Sequence, residues 1–293
     1  MNKDQLEIFT NSLIEAIESL DEKVVDEVEC PFIQMDFNAR NLVSKKNYTG
    51  ANIIHLAIIQ MVRGYTSPIW ATFKQWNEKG CHVRKGEQGT LVIWCKPVKQ
   101  ETEVTNENGE IEIIESVINV AKAYYVFNAD QVDGYETENK NLLEKAPKDE
   151  VIQFFDNIDI KQEEYAGRAF YRPSTDTVYV PSYKDFKDEA EYVGVLAHEY
   201  CHATGAKNRL NRDLKNRFGD EAYAFEELVA EIGAGMVAGH LGYSYQFGKS
   251  NLAYLKSWLK VLKNDRKAVI KACSLAQKAC DWLVEAASHG KQN

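Results

Sequence analysis

Apolar side chains at Leu6, Phe9, Leu13, Ile14, Ile17 and Leu20 recur at helical spacing, which predicts one amphipathic helix over residues 3–29. A polar turn at 44–50 (SKKNYTG) precedes a second helical stripe through Ile53, Ile54, Leu56, Ala57 and Met61. The β-branched and aromatic run 90–95 (TLVIWC) reads as a buried strand. Asn108-Gly109, between ETEVT and EIEII, is a two-strand hairpin signal, and 123–128 supplies a further strand. The polar stretch 136–150 reads as a linker. Beyond Val151 the pattern predicts a helix, short strands near 169–171 and 177–180, and then mostly helices. The expected fold class is therefore α+β: a mixed, sheet-containing N-terminal domain over 1–135, followed by a mainly helical domain over 151–293.

With 44% hydrophobic and 27% charged residues, the chain has a globular composition, which excludes wholesale disorder and collagen-like repeats. No stretch approaches the roughly 18 consecutive apolar residues of a membrane span, so no membrane partner is expected. The acid-bearing N-terminus lacks the basic-then-apolar order of a secretion signal. Six cysteines without a CxxC pair read as reduced thiols of a cytoplasmic protein. The net charge of −9 would argue against nucleic acid, but it is unevenly spread. Residues 31–98 hold nine bases and three acids, a net of +6 that leaves −15 for the rest. A basic window stands beside an acidic remainder.

The most specific chemistry is His198-Glu199-Tyr200-Cys201-His202, an HExxH motif in a helical pattern. Asp188 can cap that helix, with Glu191 three residues on, and Gly205 can end it. Residues four apart on a helix lie one above the other, so both imidazoles can reach one cation. Glu199 projects beside them, where it can take a proton from water activated by the metal. Zn²⁺ suits this nitrogen and oxygen set, with Mn²⁺ an alternative.

A third ligand is needed, and two templates compete. An HExxHxxGxxH reading places glycine correctly at Gly205 but fails at Asn208, where a histidine is required. The other template takes a glutamate from a later helix, here within Phe225-Glu226-Glu227-Leu228-Val229-Ala230-Glu231. Glu227 is expected as the ligand, with Glu226 its nearest competitor, and Glu231 as the residue that orients a ligating imidazole through its other nitrogen. Tyr223, one turn before Glu227, is placed to donate to an oxyanion during peptide hydrolysis.

The basic module interleaves cations with aromatics: Lys45, Lys46, Trp70, Lys74, Arg84 and Lys85 are its candidate DNA contacts. Single-stranded nucleic acid is held by charges along its backbone and aromatic faces under its bases. Gly80, Gly86 and Gly89 would let the loop carrying Arg84 and Lys85 bring backbone amides near phosphate.

Four segments together resemble the ArdC-type antirestriction proteins: WATFKQWNEKGCHVRKGEQGTLVIW (70–94), AYYVFNADQVDG (123–134), AHEYCHATGAKNRL (197–210) and YAFEELVAEIGAG (223–235). That resemblance implies an N-terminal domain that binds single-stranded DNA and a C-terminal zincin-like metallopeptidase domain of mobile elements. It implies a role in protecting incoming DNA from host restriction enzymes. The metal-site residues carry over onto His198, Glu199 and His202, with Glu227 from the acidic helix, and TDTVYVPS (175–182) is similar to the family's strand bordering the cleft. Two other readings stand beside it. One is a non-catalytic DNA-binding or DNA-mimicking antirestriction protein whose zincin fold is only structural. The other is an autonomous peptidase whose basic module binds an acidic protein. Besides single-stranded DNA, a host restriction enzyme or another protein substrate is a candidate partner.

Overall fold

The computed structural model of the protein describes residues 3–26, 32–105, 111–136, 146–214, 221–248 and 268–290. The Asn108-Gly109 turn and most of the 136–150 stretch lie outside these residues. Helix α1 (Lys3–Asp26) packs on α2 (Ala51–Arg63) through Phe9, Leu13 and Ile17, the stripe seen in the sequence. Between and after them run β1 (Phe32–Met35), β2 (Arg40–Asn41), β3 (Ile69–Thr72), the short helix α3 (Phe73–Glu78) and β4 (His82–Val83). Two long strands follow, β5 (Thr90–Thr105) and β6 (Ile111–Asn128), and then β7 (Val132–Asp133).

These strands form a four-stranded sheet in the order β2-β3-β6-β5, with a small β4-β7 pair beside it. Only β2 and β3 run parallel; β5 and β6 pair antiparallel in one register from Thr90↔Val126 to Thr105↔Ile111. Thr72 and Gln75 form a capping box that starts α3 directly at the end of β3.

The second half contains α4 (Lys148–Asp156), β8 (Lys161–Glu164), β9 (Phe170–Arg172), β10 (Thr177–Val180), α5 (Glu189–Thr204), α6 (Glu221–His240), β11 (Tyr245–Gly248) and α7 (Ala268–His289). Strands β8, β10 and β9 form a sheet in that order, with β10 in the middle. The fold class is the expected α+β arrangement, with three packed helices at the heart of the second half. Among the described residues no helix is long and apolar enough to cross a membrane.

The two halves share one hydrophobic core. Strand β1 pairs antiparallel with β11, Met35 opposite Tyr245. Phe37 then lies across α6, where a Cβ on Gly235 would sit 2.5 Å from its ring and one on Gly239 2.6 Å from its carbonyl oxygen. Only glycine permits that approach.

His55 is wholly buried under the sheet. Its Nδ1 lies 3.0 Å from the Leu91 carbonyl oxygen and so carries the proton, while its Nε2 lies 3.2 Å from the Ser12 hydroxyl. Burial drives its pKa down to about 4, outweighing the hydrogen bond to Leu91.

Gly239→Ala should destabilise the fold by about 1–3 kcal/mol in denaturant titration, because the added methyl meets backbone rather than a movable side chain. Neutral His55 favours the folded state above the unfolded pKa of about 6.5, and that contribution is lost as pH falls toward the folded value near 4. Between about pH 7 and about pH 5 the wild type should therefore lose about 2 kcal/mol more stability than His55→Gln, measured by denaturation at both pH values.

Candidate metal centre

Helix α5 begins as its sequence predicts: Asp188 Oδ1 accepts the Glu191 N–H at 2.9 Å. Buried Tyr192, Leu196 and Ala197 fix its inner face, which leaves His198 and His202 directed at α6. It ends at Thr204 with Gly205 as its cap, as expected; Gly205 keeps a right-handed conformation, and a Cβ on it would lie 2.8 Å from Leu214.

The last carbonyls of α5 are capped by two arginines from the following loop. Arg209 Nε donates to the Ala203 oxygen at 2.7 Å, and an Arg212 terminal nitrogen donates to the Cys201 oxygen at 2.6 Å. Where the competing template requires a histidine at 208, this loop supplies cations to the helix end.

His198 Nε2 and His202 Nε2 stand 3.1 Å apart. Glu227 of α6 puts one carboxylate oxygen 3.7 Å from the first and the other 3.5 Å from the second. Ligand atoms of these three residues lie within 4.8 Å of one another. Tetrahedral ligands at zinc-like bond lengths of about 2.0–2.1 Å would be separated by about 3.3 Å, so the three donors fit one small divalent cation.

The tautomers support the same fit. His198 Nδ1 faces Glu231 Oε1 at 3.6 Å, and His202 Nδ1 faces Glu226 Oε1 at 3.3 Å. Each carboxylate favours a proton on the nitrogen facing it, which leaves both Nε2 lone pairs converging. Two lone pairs in that position require a cation or a proton between them.

The acids divide by environment. Glu226 is held by Arg212 through contacts of 2.8–3.3 Å, which together with His202 lower its pKa despite burial. Burial raises Glu227, but hydrogen bonds from His202 and Tyr223 and the charges of both histidines bring it down to about 2. Glu231 is nearly inaccessible, and burial lifts it to about 7 although Tyr245 donates to it at 2.5 Å. Burial lowers the His198 pKa, with His202 adding to the effect. Burial also disfavours charge on His202, but its hydrogen bonds to Glu226 and Glu227 outweigh that and raise it to about 10.

Glu199 lies on the neighbouring turn and accepts the Tyr171 N–H at 2.7 Å. The strand reaching it is β9, one edge of the sheet; the stretch 175–182 contains β10, the middle strand, which also packs on α5. Tyr171 is fixed in turn, its hydroxyl 2.7 Å from Asp176, which also pairs with Arg209. Tyr223 touches Glu227, so its hydroxyl is engaged with the carboxylate rather than open.

The structure brings together His198, His202, Glu227, Glu231, Glu199 and Tyr223. Glu226, weighed only as a rival ligand, is the partner of His202 Nδ1. The neighbouring acids of a Glu-Glu-x-x-x-Glu pattern were its one visible signal. Arg212 and the Tyr171 N–H had none, because both arrive by tertiary folding.

The basic candidates separate. Lys45, Lys46, Lys74 and Lys85 are exposed, Lys74 pairing with Glu78 at 3.7 Å. Arg84 is tied to Glu87 at 3.0 Å, to Asp133 at 3.6 Å and to the Asp130 carbonyl, so it pins its own loop. Trp70 requires correction. It is fully buried in β3 and cannot offer a face to a base.

Comparison with known proteins follows the same division. Residues 3–127 match the N-terminal domain of anti-restriction factor ArdC, and residues 149–275 match the zincin-like metallopeptidase family. The uncharacterized protein y4eC of Sinorhizobium fredii (strain NBRC 101917 / NGR234) is 37% identical over 254 residues, covering 86% of this chain and 83% of that protein. A DNA primase TraC of Escherichia coli is 33% identical over 269 residues, 87% of this chain but only 24% of the primase. Among solved structures, metal-free antirestriction ArdC from the R388 plasmid superposes over 100% of both chains with a TM-score of 0.73 and 34% identity. Its Mn(II)-bound form gives a TM-score of 0.68 at 32% identity, over 97% of this chain and 98% of that one.

Removing Arg212 should leave Glu226 buried without its guanidinium partner, with only His202 beside it. Arg212→Ala is expected to cost about 3–5 kcal/mol in denaturant titration, and a paired Arg212→Met/Glu226→Leu replacement should recover most of that loss.

Proposed function

Because the chain belongs to the ArdC family of antirestriction proteins, we propose that it protects a mobile element's incoming DNA. In this reading it binds single-stranded DNA through its N-terminal half (about 1–135) and hydrolyses peptide bonds at a zinc site in its C-terminal half (151–293). The observation that carries the peptidase reading is the convergence of His198, His202 and Glu227 beside Glu199. Two imidazoles and a carboxylate form a zinc-type donor set, while the Mn(II) of the R388 protein makes manganese the alternative.

A divalent cation bound there would act as a Lewis acid, polarising a carbonyl and making water acidic enough to react near neutral pH. Glu199 is the general base. The Tyr171 N–H holds its Oε2, so Oε1 accepts the proton from the attacking water. Glu231 and Glu226 keep the protons of the two imidazoles on Nδ1 and aim the rings. Tyr223 donates to the developing oxyanion once its hydroxyl leaves Glu227. The β9 edge, already offering one N–H into the cleft, supplies a wall along which an extended peptide can lie.

The test combines three proteins. Purified with zinc, the wild type should hold about one equivalent of metal, and Glu227→Ala should lose it. Glu199→Gln should keep metal and fold while its cleavage of fluorescently labelled casein falls by about 10²–10⁴. Undiminished cleavage by Glu199→Gln would remove Glu199 as base. Antirestriction that survives in that variant would mean that DNA binding, not proteolysis, gives the protein its effect.

A further inference from the structure

A groove of about 940 Å³ opens on the N-terminal half, away from the metal centre. Its floor is the face of β5 and β6 that carries Val92 and Val126, and one wall is the turn before α2. The opposite wall is α7, which supplies Ser274, Gln277 and Lys278. The Gly50 N–H donates to Gln277 Oε1 at 3.0 Å, which ties α7 to the start of α2.

Three features describe what fits there. Trp94 and Tyr124, diagonal neighbours across the β5–β6 pair, are 50% and 41% exposed on the groove face. Neither has its ring taken up by the core, unlike Trp70 and Trp76, which are wholly buried. Lys46 and Lys278 flank the groove from its two walls, and exposed Lys122 stands opposite Trp94 in the register. Among the described lining residues there is no Asp or Glu, although the chain has 44 of them.

Aromatic faces flanked by lysines, without carboxylates, suit an unpaired polynucleotide: bases stack on the rings while phosphates meet the ammonium groups. A duplex hides its base faces, and an acidic peptide makes no use of the rings.

We propose that this groove is the single-stranded DNA site, with Trp94 and Tyr124 as stacking platforms and Lys46 and Lys278 as phosphate contacts. The C-terminal helix thus completes a site that the sequence assigns to the N-terminal half alone. The inference rests on the reading that the protein binds single-stranded DNA, and it deepens that reading.

The experiment is fluorescence anisotropy with a labelled oligo-dT of about 15 nucleotides, titrated at several salt concentrations. Trp94→Ala and Tyr124→Ala should each weaken binding about tenfold or more. Lys278→Ala should make the plot of log affinity against log salt shallower by about 0.7. All three side chains lie on the groove surface, so thermal unfolding should match the wild type and separate lost contacts from lost fold.

If the wild type binds the oligonucleotide and all three variants bind equally well, the groove is wrong and the DNA reading survives. A wild type with no affinity for the oligonucleotide sinks both. Competition by polyglutamate that is as effective as by unlabelled oligo-dT, and insensitive to Trp94→Ala, would overturn the stacking assignment in favour of an acidic polypeptide.

Discussion

The close approach of α5 and α6 is the constraint on which the centre depends. A Cβ on Gly233 would lie 2.6 Å from the Cys201 sulfur, so the two helices meet at a distance that leaves no room for a side chain at 233. Within two turns of that contact, the imidazoles of α5 face the Glu227 carboxylate of α6 with donor separations of 3.1–3.7 Å. Donors spread even about 1 Å wider would no longer share one small cation at normal bond lengths. Metal affinity at this site is thus set by helix packing as much as by ligand identity.

That packing also buries three carboxylates on one helix, and each must be compensated. Glu226 has the Arg212 guanidinium and His202, Glu227 has two imidazoles and Tyr223, and Glu231 has the Tyr245 hydroxyl. Arg212 serves two structures at once, since it also occupies the open carbonyls at the end of α5. Residues 151–293 hold nineteen bases and nineteen acids, three of the acids being these buried ones, so the acidic excess of the chain lies outside this half.

What was legible in the sequence was local. The HExxH spacing, the Asp188 cap, the Glu227–Glu231 pair and the strand at Thr177–Val180 depend on residues a few positions apart, and period and capping chemistry determine them. The strand Lys161–Glu164 carries no apolar alternation and exists because it pairs parallel with β10, which no short window reveals. Trp70 and Trp94 bound the same stretch 70–94, yet Trp70 lies in a central strand and is fully buried while Trp94 is half exposed. Register and sheet order, not composition, decide which ring meets solvent. The arginines after α5 were invisible for the same reason, as their partners lie on other elements.

The two segments matched by separate families are physically one. Strand β1 pairs with β11, which sets Tyr245 opposite Met35 and against the Phe37 ring, and the Tyr245 hydroxyl holds Glu231 beside His198. Four residues past Glu231 on the same stripe of α6 comes Gly235, the seat of Phe37, and Gly239 follows four residues later. The N-terminal half therefore helps position the helix that carries the ligand, through close, buried contacts. In the other direction, α7 packs on α6 and lends Gln277 and Lys278 to the groove beside the N-terminal sheet. Such exchange supports each site sterically without requiring that either signal to the other, since fixed packing holds a geometry whether or not two states exist. It also accounts for a core that crosses from one family segment to the next: each segment completes the buried surface of the other.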